Sequence, residues 1–157
     1  MANLIFVPLT LTTLLSAYTL NLAYTNITLL QRYERQSEKA AEWSSIAAER
    51  LRKTRTTQAS GAVSIVLSLI SSTYLILHPI LSSEKKQSDH AVLITAVNIV
   101  ASSAARVHMA GFWNEKEQTR VPFLEKFNDA VRGSERERDL VWGIAGCWVA
   151  VGLFAFW

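Results

Sequence analysis

The stretch AVLITAVNIVASSAARVHMAGFW, from Ala91 to Trp113, is apolar throughout apart from Arg106, His108 and a few small polar side chains. Crossing the hydrocarbon core of a bilayer takes about 20 mostly apolar residues, and this run has that length. A charge set inside such a run is expensive and is rarely left facing lipid. It marks either a functional pocket or a helix end close to the membrane surface. Arg106 is therefore the residue from which the rest of the chain is best read.

Three more apolar runs flank this one. Met1 to Gln31 and Thr56 to Ser83 contain no Asp, Glu, Lys or Arg, and neither does Leu140 to Trp157. A chain of 157 residues fits one domain, and a soluble domain of that size would not keep four such blocks apart. The expected fold is all-α: an integral membrane four-helix bundle forming one domain over 1–157. Its helices are expected at about 3–31, 57–82, 91–113 and 139–157. The first run has no basic n-region and no small-residue cleavage site, and it is longer than a signal peptide. It is expected to stay in the mature protein as the first helix.

The charged segments set the expected orientation. Residues 32–55 carry seven basic side chains and residues 116–138 carry six, whereas the segment between helices two and three has only Lys85 and Lys86. Lys and Arg near span ends favour the cytosolic side. The first and third loops are thus expected in the cytosol, with both termini and the second loop lumenal or exterior. The sequon Asn26-Ile27-Thr28 then lies in the membrane or on the cytosolic side and is expected to be unglycosylated. With no targeting signal of another compartment visible, the endoplasmic reticulum is the expected location.

The net charge of +3 is no nucleic-acid signature. The basic residues lie beside the membrane and alternate with Glu34, Glu38, Glu42 and Glu49, as a collar facing the headgroups does. The expected partner is the bilayer, with no nucleic acid. The single cysteine, Cys147, gives no disulfide framework and reads as a packing residue. No metal-ligand spacing, phosphate loop or nucleophile elbow is present, so no metal is expected.

Glu34 to Arg55 has no Gly or Pro and is rich in helix formers. Helices one and two are expected to run on past the membrane and meet at a short turn near Ser44-Ser45, with Trp43, Ile46, Ala47 and Leu51 as an apolar stripe. In the third loop, Pro122 and Gly133-Ser134 are turn signals. Between them an amphipathic segment is expected at about 122–132, with Phe123, Leu124, Phe127 and Val131 at the membrane interface. Ser60, Ser64, Ser68 and Ser72 on helix two, and Gly143, Gly146 and Ala150 on helix four, form small-residue stripes. Such stripes permit close helix contact, within the bundle or between copies.

On helix three, Asn98, Ser102, Arg106, Met109 and Trp113 share one face. Arg106 lies roughly 10 Å from the helix end at 1.5 Å per residue. Two readings stay open. Arg106 either snorkels to the headgroups or binds a carboxylate or phosphate with its fork. His108 points to another face and reads as a packing or interface histidine before an acid or base.

This pattern resembles the MAPEG superfamily, the membrane-associated proteins of eicosanoid and glutathione metabolism. In that family an arginine near the end of helix three is followed by aromatics three and seven positions later, then often by an arginine seven beyond. Arg106, Trp113 and Arg120 keep this spacing, with Met109 in place of one aromatic. Ahead of helix two the family has an arginine, then an asparagine and a glutamate. Here Glu49-Arg50 is similar, while Thr57 or Gln58 and Ser60 or Gly61 stand near the other two positions. The resemblance implies a homotrimer acting on a lipophilic substrate with glutathione as cofactor. Arg50, Asn98, Ser102, Arg106 and Trp113 would line its site. Arg120 would lower the thiol pKa, since an adjacent cation favours the nucleophilic thiolate. Two other functions fit the residues: a non-catalytic subunit or scaffold of a membrane complex, and a different small membrane enzyme with His108 as acid or base.

Overall fold

The computed structural model describes residues 2–81, 88–114 and 125–155. Among these, the chain is all helical: α1 (Ala2–Trp43), α2 (Ser45–Leu81), α3 (Ser88–Ala110) and α4 (Glu125–Ala155). Three helices contain segments long and apolar enough to cross a membrane, Ile5–Glu34, Ser45–His78 and His90–Ala110. α4 is charged in its first half and apolar from Leu140 onward. α1 touches α2 and α4, α3 touches the same two helices, and α2 also meets α4. α1 and α3 are thus diagonal.

α1 has 42 residues and α2 has 37. At 1.5 Å per residue each is roughly 55–65 Å long, about twice the 30 Å hydrocarbon core. Both therefore extend beyond the apolar layer as a charged hairpin. The turn is a single residue. Ser44 interrupts the helix, and its Oγ accepts from Ala47 N at 3.4 Å, the N-cap position of α2. Arg55 Nη2 crosses the hairpin to Glu34 Oε2 at 3.0 Å and to Glu38 Oε1. The expected apolar stripe at the tip is not buried: Trp43 is 90% and Ile46 71% exposed.

The outer surface is unlike that of a water-soluble protein. Val7, Leu14, Ile70, Leu93, Val100 and Leu153 all lie more than half exposed on the outer surface. Inside are Thr12, Ser16, Thr19, Ser64, Ser68 and Ser72, all buried. An exposed apolar belt around an interior that mixes apolar side chains with many small polar ones is what a bilayer permits, because lipid gives helices no hydrophobic reason to associate and packing and hydrogen bonds must do it. The three apolar helices and this belt fit an integral membrane protein.

The serine stripe of α2 makes those bonds. Ser68 Oγ lies 2.9 Å from Ser16 Oγ of α1 and accepts from Trp148 Nε1 of α4 at 2.8 Å, tying three helices at one point. One turn on, Thr13 Oγ1 donates to Ser72 Oγ at 2.9 Å.

Three expectations need correction. Gly133-Ser134 is not a turn, and the amphipathic segment at 122–132 is not separate, because α4 runs unbroken through both. Its start at 122–124 lies outside the described residues. Phe127 meets Tyr33 of α1 edge-on, 5.7 Å between ring centroids. Helix three ends at Ala110 rather than at 113. There Phe112 N and Trp113 N both turn back to Met109 O, at 3.1 and 2.7 Å, and Asn114 Nδ2 caps Ala110 O at 3.0 Å. Finally, the two glycines of the α4 stripe differ within this chain: a Cβ at Gly143 would lie 3.5 Å from Leu15 Cδ2 of α1. Both are exposed, and a Cβ at Gly146 would meet nothing within 4 Å.

The Ser68 junction predicts a stability difference. Ser68→Val leaves Trp148 Nε1 and Ser16 without a partner and should cost about 1–2 kcal/mol. Ser60→Val, where the hydroxyl bonds only to its own helix, should cost less than about 0.5 kcal/mol. Unfolding in mixed detergent micelles, followed by circular dichroism, measures both.

Candidate functional site

At the charged end of the helices, polar side chains from α1, α2, α4 and the segment just past α3 converge. Asn26 of α1 donates from Nδ2 to Glu137 Oε2 of α4 at 3.0 Å. Gln58 of α2 donates from Nε2 to Ser134 Oγ of α4 at 2.7 Å. Trp113, just past α3, donates from Nε1 to Thr57 Oγ1 of α2 at 2.9 Å. Arg138 Nη1 donates to the Trp113 carbonyl, closing the ring. Asn26, Thr57, Gln58, Trp113, Ser134 and Glu137 are all buried.

Two glycines make room for this layer. A Cβ at Gly133 would overlap the Asn26 side-chain carbonyl, and one at Gly61 would lie 2.9 Å from both Glu137 Oε1 and Met109 Sδ. Gly133 thus lets α1 approach α4 closely enough for Asn26 to reach Glu137. Glu137 is wholly buried with one hydrogen-bond donor, at Oε2, while Oε1 has no partner. A carboxyl so placed is costly, and such groups in membrane proteins belong to functional or register-setting sites.

Two cavities lie on opposite sides of α2. One, of about 250 Å³, opens between α1 and α2 and is walled by Ile27, Leu30 and Ala59, with Glu34, Arg55 and Gln58 as polar lining. The other is an open groove of about 460 Å³ between α2 and α3. Ser60, Val63, Ser64 and Leu67 wall it on one side and the small Ala101, Ala104 and Ala105 on the other, with His108 at the charged end.

The residues expected from sequence fall in different places. Asn98, Ser102 and Trp113 are each 1% exposed and face the interior, and Arg106 is half-buried beside them. On this face of α3, Thr95 Oγ1, Asn98 Oδ1, Ser102 Oγ and Arg106 Nε are all buried without a partner. The register against α4 follows from Gly152, whose Cβ would lie 3.3 Å from Thr95, and from Met109 and Glu137 meeting at Gly61. Opposite α3, the buried residues of α4 include Val141, Ile144 and Trp148, and the Trp148 indole N–H is given to Ser68. His108 is exposed and lines the groove, apart from that stripe. Arg50 is exposed on the hairpin. Arg120 lies outside the described residues.

Sequence reading missed Asn26, Gln58 and Glu137 as site residues. Asn26 had drawn notice only as a sequon, Gln58 only as a neighbour of the family's asparagine position, and Glu137 stands just before the last apolar run. Among the described residues, no group of three or more His, Cys, Asp or Glu is placed to hold a metal. Comparison with known protein families, curated proteins and solved structures finds no match for this chain.

Close contact at Gly133 predicts a position-specific cost. Gly133→Ala should destabilise the fold by about 1–3 kcal/mol, because Asn26 must move and its bond to Glu137 with it. Gly146→Ala, which points into open space, should change stability by less than about 0.5 kcal/mol. The same micelle unfolding measurement separates the two.

Proposed function

We propose that this chain is an integral membrane protein that holds a lipophilic small molecule in the groove between α2 and α3. The observation that carries this reading is the groove itself. Its volume of about 460 Å³ falls within the roughly 300–1,000 Å³ of small-molecule sites. The three alanines on its α3 wall leave room where larger side chains would close it. His108 offers a ring nitrogen at the charged end, to orient a polar group of the ligand or to exchange a proton with it. The groove opens outward past Val63, which is 67% exposed, so a membrane-dissolved ligand enters laterally.

In this proposal α4 is a fourth span from about 139 onward, the hairpin is cytosolic, the termini are lumenal and the membrane is that of the endoplasmic reticulum. The MAPEG-like version adds glutathione and a homotrimer, with Arg120 as the thiolate-stabilising cation. It draws support from the buried Arg106 Nε, which has no partner among the described residues and would suit a carboxylate. A second reading, a subunit of a larger membrane complex, is favoured by Trp43 and Ile46, which stand bare at the hairpin tip.

A photoactivatable, membrane-soluble ligand tests the proposal. Labelling should map to the 101–108 segment of α3, and Ala104→Trp should lower it by about tenfold, the equivalent of about 1.4 kcal/mol. Val100→Trp, exposed on α3 but not among the groove residues, should leave labelling unchanged. Uniform labelling around all helices would contradict a dedicated groove. For the glutathione version, the detergent-purified chain should bind immobilised glutathione and show thiolate absorbance. Absence of both sinks that version alone.

A further inference from the structure

Among the described residues, Glu137 is the only buried acid. It stands at the end of the charged half of α4, just before the apolar run that opens at Leu140. The other three helices close around its carboxyl. Asn26 of α1 donates to Oε2. Gly61 brings the α2 backbone against Oε1, and Met109 Sδ of α3 shares that niche. Oε1 itself has no partner.

A buried carboxylate is sustained by a nearby cation or by several donors. Glu137 has one amide donor and forms no ion pair with any described residue. The charged groups around it are engaged elsewhere or set apart. On α4, Arg136 lies over the Tyr18 ring of α1, 5.7 Å from its centroid, and Arg138 binds the Asp139 carboxylate and the Trp113 carbonyl. Glu135 and Asp139, on either side, add only negative charge. On α1, Arg32 is the first charge beyond Asn26 and is exposed. On α2, the last charge before Gly61 is Arg55, which is held by Glu34 and Glu38. On α3, Arg106 lies one turn before Met109 and makes no ion pair with Glu137, and His108 is exposed in the groove.

We infer that Glu137 is held protonated in the folded chain, and that loss of this proton loosens the contact between α1 and α4. The neutral acid keeps the bond from Asn26 on Oε2 and carries its proton on Oε1, where the Met109 sulfur offers a weak acceptor. The anion places a full charge in the same niche with one donor to hold it. Burial pushes this carboxyl up from an ordinary value near 4.5 to about 7, against a smaller lowering by the Asn26 amide. Folding thus takes up a proton between those two values. The stability it contributes is complete below about pH 4.5 and is lost as pH rises through about 7. Gly133 passes the change to the helices. α1 and α4 touch where a Cβ would overlap Asn26, so Asn26 cannot shift with Glu137 while that contact stays closed. None of this rests on the α2/α3 groove, and the two proposals fail separately.

The test uses the full chain in non-ionic micelles between about pH 4 and 9. Infrared spectra should show a protonated-carboxyl band at about pH 6, where exposed acids are ionised. That band should disappear by about pH 8.5 and be absent from Glu137→Gln. The folding constant of the wild type relative to Glu137→Gln should fall by up to about tenfold per pH unit between 4.5 and 7 and then level off. Hydrogen exchange over 22–30 of α1 and 133–141 of α4, corrected for its intrinsic pH dependence, should quicken at about pH 8.5 in the wild type alone. Glu34→Gln, which removes an acid of the hairpin, should leave the band in place. If Glu137→Gln does not fold, the wild-type band and exchange decide the matter. Absence of the band at about pH 6 overturns the inference. So does a folding ratio that stays constant with pH, or exchange that is the same on both sides of neutrality.

Discussion

The constraint on which the structure depends is that a polar group buried among apolar helices must find its partner within the protein. Lipid offers it nothing, and an unmet donor or acceptor costs more there than at a wet surface. The helices meet this constraint in two layers. Deep in the apolar region, Ser68 joins Ser16 and Trp148. At the charged end, Asn26 meets Glu137, Gln58 meets Ser134, and Trp113 meets Thr57. Each bond links residues from different helices, so each fixes an axial register as well as a contact. A one-turn slip of α4 against α1 would carry Glu137 about 5.4 Å from Asn26 and leave both buried and unpaired.

The same layer shapes the cavities on either side of α2. Gln58 holds α2 to α4 through Ser134 and is also among the residues lining the α1/α2 cavity. Ala59, next in sequence, lines both that cavity and the groove towards α3. Small side chains on α2 and α3 keep the groove open, and the bonds at its charged end keep α2 from closing on either neighbour. A rigid polar junction with space beside it is the arrangement in which a ligand can be bound without rebuilding the helix contacts.

Much of this was legible in the sequence, because charge is so unevenly distributed. The uncharged runs 1–31 and 56–83 mark long apolar helix segments, and the helix-forming composition between them correctly predicts a hairpin turning near Ser44. The four-residue spacing of Ser64, Ser68 and Ser72 marks a buried face of α2, and the periodicity of Asn98, Ser102 and Met109 marks the inward face of α3. Other features were illegible for physical reasons. Gly133-Ser134 carries the residues of a turn, yet here glycine serves close helix approach and Ser134 bonds back to Ala130 four residues earlier. Gly143 and Gly146 look like the same device and are exposed, since small size alone does not say which face a helix presents. The partners of the charged-end layer lie 111, 76 and 56 residues apart. No local pattern in one sequence announces such a pairing, so Asn26 was visible only as a sequon and Glu137 only as one acid of the charged run from Glu135 to Asp139.

The most direct test of this account is a double-mutant cycle between Asn26 and Glu137. Unfolding free energies of the wild type, Asn26→Ala, Glu137→Ala and the double variant would be measured in mixed micelles. If the pair joins α1 to α4 as described, the coupling energy should be about 1 kcal/mol, in the range of measured hydrogen bonds between membrane helices. Additivity within about 0.3 kcal/mol would mean that the two side chains do not interact, and would contradict the register on which the polar layer and both cavities rest.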